Sequence, residues 1–330
     1  MFPFPEILTS SLVGQIVMIL VGILVLWAGA EGTVRSASKL ALRFGMSPML
    51  VGATVVAFGT SAPEWLVTVF AQIGDAPSMA LTNILGSNVA NLSLVLGLTT
   101  FILPLIVRKN VLVRELSYVL VAEAFFLWLV YDQRLSSTDG LLLFALFAVL
   151  YTMMFRSSFA KADVEDLTHG DTQAPVGPQL LILLLGLLGL SLGADSFTTG
   201  ARELGLSIGI SDRVLGATVV AFGTSLPELV TCVVGALRGH SEISLGNLLG
   251  SNLFNILFVG GSLGVISGGV AVAPGIIWFE CMWVLAITAV LWPLTILPPQ
   301  RMTIGRSAGA LLAAAWVVFA IYSVIGGDAQ

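Results

Sequence analysis

Charge is what this sequence has least of. Asp, Glu, Lys and Arg make up only 10% of its 330 residues, against about 25% in a soluble domain. Water cannot be the solvent for most of such a chain. Cysteine is nearly absent: Cys232 and Cys281 both fall in apolar stretches, where a thiol packs as a small apolar group and says nothing about redox compartment. Histidine is as scarce, with His169 and His240 both between apolar stretches. Residues 1–11 hold no Lys or Arg, which excludes the positive start of a secretory signal peptide. Nor is there a basic surface. The net charge is -5, and the acidic excess collects partly in one connecting segment (Asp163, Glu165, Asp166, Asp171), so nucleic-acid binding is excluded.

What fills the chain instead is apolar sequence, at 57% hydrophobic residues and a mean hydropathy of +0.99. Apolar stretches recur near the roughly 20 residues that a helix needs to cross the hydrocarbon core. Ten are read, over 12–30, 49–73, 78–104, 112–132, 137–155, 180–201, 213–237, 242–267, 274–296 and 306–326. The expected fold is an all-α integral membrane protein whose partner is the lipid bilayer, with no cofactor and no obligatory protein partner. Lys and Arg divide unevenly between alternate sides. One side takes Arg35, Lys39, Arg43, Arg108, Lys109, Arg114, Arg156, Lys161, Arg238, Arg301 and Arg306, and the other only Arg134, Arg202 and Arg213. Positive loops stay cytoplasmic, so both termini are expected outside, in the inner (plasma) membrane of a prokaryote.

The chain also repeats itself. Gly52–Glu64 reads GATVVAFGTSAPE and Gly216–Glu228 reads GATVVAFGTSLPE; Asn83–Asn91 (NILGSNVAN) and Asn247–Asn255 (NLLGSNLFN) lie at the same offset of 164 residues, as do Gly29-Ala30-Glu31 and Gly193-Ala194-Asp195. Small-residue packing motifs do recur in membrane helices, but packing constrains one helical stripe, and here both faces and the polar residues match. Duplication is the better account. Five spans per half is an odd number, so the second copy enters the membrane the other way up. The expected organisation is two inverted-topology repeats of five helices, 1–155 and 178–330, joined by a polar cytoplasmic loop over 156–177 containing Pro175 and Gly177. Carriers built this way hold their substrate near the midplane, on interrupted helices where the copies meet.

Within each GTSxPE, Pro63 and Pro227 remove a backbone donor and clash with the carbonyls of Gly59 and Gly223, so the helix is expected to break there. Irregular backbone at membrane depth is tolerated where it faces protein or water, which offers carbonyls near Ala57 and Ala221 as ligands. Thr60 and Glu64, Thr224 and Glu228, Ser87 and Asn91, and Ser251 and Asn255 are each four residues apart and share a helical face. This inventory is oxygen without nitrogen or sulfur, which disfavours Zn2+ or Cu+. Calcium takes six to eight oxygens, and two glutamates cancel its charge; two Na+ or two protons cancel theirs equally. A carboxylate costs roughly 2.5–3.5 kcal/mol at the bilayer centre on insertion scales, so an empty carrier resists crossing while loaded ones alternate. A lone glutamate could instead be a protonated carboxyl satisfied by a neighbouring helix. The hydroxyls of Thr60, Ser61, Ser87, Thr224, Ser225 and Ser251 could bond their own helices, whereas a buried amide at Asn91 or Asn255 needs several partners. Glu31, Glu123, Asp195 and Glu280 belong to no duplicated carboxylate motif and are read as interfacial or gating residues.

At these residues the chain resembles the Ca2+/cation antiporter superfamily, whose sodium/calcium exchangers carry paired repeats with G-T-S-x-P-E and G-S-N-x-x-[ND]. The resemblance covers nearly the whole chain. It implies ten helices in an inverted five-plus-five arrangement, with ion sites on the second, third, seventh and eighth. Glu64 and Glu228 would be the principal Ca2+ ligands. Thr60, Ser61, Ser87, Asn91, Thr224, Ser225, Ser251, Asn255 and the carbonyls of Ala57 and Ala221 would share Ca2+ and Na+ coordination, while the first and sixth helices slide. Well-known sodium/calcium members have an aspartate at one of the positions that are Asn91 and Asn255 here, which leaves Na+ or H+ as the coupling ion. The competing readings are a channel, with flux that needs no counter-ion, and an intramembrane hydrolase using Ser61 or Ser225, which would lack a base within the duplicated motifs.

Overall fold

A computed structural model describes residues 4–74, 77–159, 175–210, 221–294 and 301–326, together with Leu215 and Val219. Among these residues, beside the short helices Glu6–Thr9, Val130–Asp132 and Ala221–Thr224, the chain forms ten principal helical units. They are α1 (Leu12–Phe44), α2 (Pro48–Thr60 and Ala62–Ile73), α3 (Ser78–Ile102), α4 (Lys109–Leu129), α5 (Ser137–Phe159), α6 (Val176–Ser207), α7 (Leu226–Leu237), α8 (Ser241–Ser267), α9 (Ile276–Leu291) and α10 (Arg306–Gly326). Six of them are each long and apolar enough to cross a bilayer, and the bent α2 makes seven. α7 and α9 are shorter apolar helices, and α4 is interrupted by Lys109, Arg114, Glu115 and Glu123.

Local sequence sets the ends. Ser11 caps α1 by accepting from the Gly14 N–H at 3.1 Å, and Ser47 caps α2 by accepting from Leu50 at 3.2 Å, with Pro48 in the first turn where its missing N–H is harmless. Gly45 closes α1 in the left-handed conformation at φ 62°. The expected first span, 12–30, is too short: α1 continues to Phe44 and carries Arg35, Lys39 and Arg43 on a helix rather than a loop. At 33 and 32 residues, α1 and α6 are about 50 Å long at 1.5 Å per residue. They therefore cross a core of about 30 Å at a strong tilt or project beyond it.

α1 and α6 cross glycine to glycine. A Cβ on Gly22 would lie 2.8 Å from the Gly193 carbonyl, and one on Gly29 would lie 2.7 Å from that of Gly186. The offset of 164 turns the first pair into the second, so the crossing obeys the inverted repeat. The first part of α2 packs equally closely on α8, where a Cβ on Gly52 would meet the Ile243 carbonyl and one on Gly246 that of Met49. The duplicated glycines thus serve packing as well. A large apolar core lies among α3, α4, α8 and α9, including Leu85, Phe126, Leu249 and Val284. The outer faces of α1 and α6 expose Leu20, Leu24, Leu181 and Leu184, as lipid contact requires.

Two small antiparallel sheets, beyond the expected helices, tie helix ends together. β1 (Leu105–Arg108) pairs with β4 (Arg301–Ile304), and β2 (Arg134–Leu135) pairs with β3 (Val270–Ala271). β1 and β3 are near-equivalent positions in the two halves, as are β2 and β4, so each sheet is the other's image. One end of the bundle gathers Arg108 beside Arg301, an Arg108–Glu242 ion pair at 2.9 Å and an Arg238–Glu31 pair at 2.8 Å that also engages Arg35. Arg134 lies at the opposite sheet. The connecting loop falls mainly on residues 160–174, outside the described residues, as does Arg213.

Glu123 corrects an expectation. Of the two readings, interfacial or gating, the structure excludes the first, since Glu123 is 4% exposed and its carboxylate accepts from Thr288 Oγ1 at 3.0 Å across the α4–α9 contact. Burial between two helices depends on long-range packing, which the local pattern around Glu123 did not reveal. Glu31, ion-paired at the basic end, fits the interfacial reading.

Candidate ion site

Both GTSxPE segments break as the prolines require. α2 bends by 42° between Thr60 and Ala62, and Ser61 leaves helical geometry at φ -90° and ψ 2°. Ser225 does the same at φ -88° and ψ 3°, between the short helix Ala221–Thr224 and α7. Each break lifts one serine out of the helix just ahead of its glutamate. The following helices carry the second motif, and there the structure adds a feature the sequence pattern did not show. α3 and α8 widen into π-helical turns over Ala90–Val95 and Phe254–Val259, again 164 residues apart and each containing the candidate asparagine. Such turns recur at functional sites.

The site lies where these four elements meet. Glu64, Glu228, Asn91, Asn255, Thr60, Ser61, Ser225, Ser87 and Ser251 are all buried, Thr224 is half-buried, and Gly216–Thr218 and Val220 of the second motif lie outside the described residues. Ser61 Oγ donates to Glu228 Oε1 at 3.1 Å, joining the two halves. Thr60 Oγ1 lies 3.0 Å from Asn247 Oδ1, also across the halves, and 3.3 Å from the Ala57 carbonyl. That carbonyl also accepts the Ser61 N–H at 2.9 Å; the Thr60 hydroxyl has one proton, and when it donates to Asn247 Oδ1 the second lone pair of Ala57 O is free for an ion.

Two residue pairs of the site were missed. Asn83 donates to the Glu64 carbonyl at 3.2 Å and to Thr68 Oγ1 at 3.1 Å, while its counterpart Asn247 donates to Cys232 Sγ at 3.7 Å. Asn88 and Asn252 bond each other's backbone. All four stand in the duplicated stretches at the common offset, and that was the signal available for them.

Several buried atoms here have no hydrogen-bond partner in the protein. They include Oε2 of both Glu64 and Glu228, Oδ1 of both Asn91 and Asn255, and Oγ of Ser225. A buried polar atom left unpaired costs about 1–3 kcal/mol, and here the carboxylate and amide oxygens come in matching pairs from the two repeats. Oxygen donors of this kind, two of them anionic, suit a hard cation.

Comparison with known proteins agrees with this geometry. The family described as "Sodium/calcium exchanger protein" matches residues 14–156 and 178–325. The chain is 33% identical over 261 residues to the inner membrane protein YrbG of Escherichia coli, covering 76% of this chain and 80% of that one. It is 27% identical over 315 residues to the sodium/calcium exchanger MaX1 of Methanosarcina acetivorans, covering 83% and 89%. Among solved structures it superposes on the sodium-calcium exchanger NCX_Mj soaked with 2.5 mM Na+ and 0.1 mM Ca2+, with TM-score 0.78, 31% identity and coverage of 92% of this chain and 96% of that one.

Proposed function

The chain belongs to the sodium/calcium exchanger family, a family of membrane antiporters and not of enzymes, and from that premise we propose that it exchanges Ca2+ for Na+ by alternating access. The observation that carries the proposal is the matched set of unpaired buried carboxylate and amide oxygens, Glu64 with Glu228 and Asn91 with Asn255, one of each from either half. Glu64 and Glu228, both buried at the site, supply two negative charges, and Ca2+ neutralises both at once. Asn91 and Asn255 supply neutral amide oxygens, Ser225 and Ser251 supply hydroxyls, and Thr60, Ser61, Ser87 and Thr224 stand beside them. Two Na+ satisfy the same charges from the same donors, so either load allows a site that resists crossing when empty to pass. The repeats 1–155 and 178–330, joined by a cytoplasmic loop, present the site alternately to the two sides. The gathering of arginines at one end of the bundle supports an orientation with that end cytoplasmic and both termini outside, and the bacterial inner-membrane relative supports a prokaryotic plasma membrane.

A proton-coupled exchanger is the second reading. It is favoured by the amides at both Asn91 and Asn255, where a third carboxylate would strengthen Na+ binding. Ca2+ uptake into proteoliposomes of the purified protein, driven in parallel by outward gradients of Na+ or of H+, decides between them. Uptake under the Na+ gradient alone is expected. Uptake under the H+ gradient alone makes the protein a Ca2+/H+ antiporter, and equal uptake without any counter-ion would make it a channel.

A further inference from the structure

Two of the buried hydrogen-bonded contacts between the halves behave differently under the repeat. Asn88 Nδ2 donates to the Asn252 carbonyl at 3.1 Å, and Asn252 Nδ2 donates to the Asn88 carbonyl at 3.3 Å. Exchanging the halves turns each bond into the other. Both residues are 0% exposed, and each stands between its half's candidate serine and candidate asparagine, on α3 and α8. Ser61 Oγ, by contrast, donates to Glu228 Oε1 at 3.1 Å, while the image of that bond, Ser225 to Glu64, is not made. Ser225 Oγ and Glu64 Oε2 are both buried without a partner.

Inverted repeats alternate access when one repeat or bundle rocks against the other around a fixed site. When the halves trade conformations, a contact that maps onto itself survives the trade. A contact that does not must be released on one side and remade on the other. We infer that Asn88 and Asn252 are positioning residues, a clamp that stays closed through the cycle, and that access alternates by handing the serine–glutamate bond from Ser61–Glu228 to Ser225–Glu64. The backbone is ready for the handover, because the breaks at Ser61 and Ser225 have the same dihedral angles to within a few degrees. Both ends of the unmade bond are desolvated, so each gains a partner when it forms. The clamp keeps α3 and α8, which carry the amide and hydroxyl donors, in one register while the glutamates change partners. This inference rests on the exchange reading above.

The test is the ratio of half-saturating Ca2+ concentrations at the two membrane faces, measured as exchange by the full chain in vesicles selected for one orientation. Either serine could also ligate the ion, but a change in intrinsic affinity acts at both faces and cancels in the ratio, leaving the population of the two access states. Ser61→Ala is expected to move the ratio by about threefold to tenfold, the range for a hydrogen bond within a membrane protein. Ser225→Ala should move it as far the other way, and the double variant should return it near the starting value. Asn88→Leu and Asn252→Leu should slow exchange equally and leave the ratio where it was; Asn88→Asp and Asn252→Asp, which keep side-chain size, give the same comparison should the leucine variants fail to fold. Serine variants that move the ratio the same way, or not at all, overturn the handover, and asparagine variants that move it overturn the clamp. Loss of exchange by the unmodified protein would overturn the functional reading itself, a result distinct from intact exchange with an unmoved ratio.

Discussion

Gly29→Ala tests the crossing of α1 and α6, the two longest helices. Its new methyl would lie 2.7 Å from the Gly186 carbonyl and 2.8 Å from the Leu190 N–H nitrogen. Ordinary contact begins at 3.4 Å, so the helices must part locally by roughly 0.7 Å, and the obstacles are backbone atoms that cannot rotate away. Overpacking of this kind costs about 1–3 kcal/mol. Alanine's higher helix propensity returns about 1 kcal/mol, which leaves a net loss of about 0–2 kcal/mol. Gly32→Ala is the control, one turn along the same helix. Its methyl would meet nothing nearer than Ile182 Cγ2 at 3.4 Å, so it keeps the propensity gain without the clash. Propensity is common to both variants and cancels in their difference, leaving Gly29→Ala less stable than Gly32→Ala by about 1–3 kcal/mol. Unfolding midpoints in one detergent measure that difference. Equal stability, or a more stable Gly29→Ala, would refute the close crossing.

Three further outcomes follow from other parts of the molecule. Asn255→Asp adds a third carboxylate to the site and should strengthen Na+ competition against Ca2+ binding, by about tenfold in the Na+ needed, measured by titration calorimetry. Glu123→Gln keeps an oxygen for the Thr288 hydroxyl and lies outside the duplicated motifs. It should leave Ca2+ exchange unchanged and stability within about 1 kcal/mol, whereas Glu123→Ala opens a cavity worth about 2 kcal/mol or more. His240, in the turn before α8, is half-buried, and burial lowers its pKa from the ordinary value of about 6.5. The unfolded chain therefore takes up the proton first, so the contribution is intact above about pH 6.5 and declines as the pH falls below it. His240→Asn should flatten that part of a Tm-against-pH curve.

Much of the fold could be read in the sequence because lipid simplifies the problem: apolar length marks a helix, and an exact internal offset marks the symmetry. The span read over 242–267 sits on α8, and the break expected at Pro63 occurs at Ser61, two residues past Gly59, whose carbonyl the proline ring would meet. Features that depend on three-dimensional packing were hidden. The extension of α1 to Phe44 carries charges that resemble loop composition, yet it is held as helix by Gly45 and by the Arg238–Glu31 ion pair. The π-helical turns at Asn91 and Asn255 follow from no local propensity. Asn88 and Asn252 were passed over because a reading directed at ion ligands looked for residues four apart, while their partners are backbone carbonyls of the other half. The burial of Glu123 was hidden for a related reason, since its partner Thr288 is 165 residues away.

The central claim is that exchange runs through the two duplicated glutamates, and Ca2+ uptake by Glu64→Gln and Glu228→Gln in proteoliposomes under an outward Na+ gradient tests it most directly. Each variant keeps the size of the side chain and removes one of the two charges that Ca2+ needs. The account predicts that both elute as folded protein and that each loses uptake by at least about 100-fold. Folded variants that transport Ca2+ at the unmodified rate would contradict it and place the ion path elsewhere in the bundle.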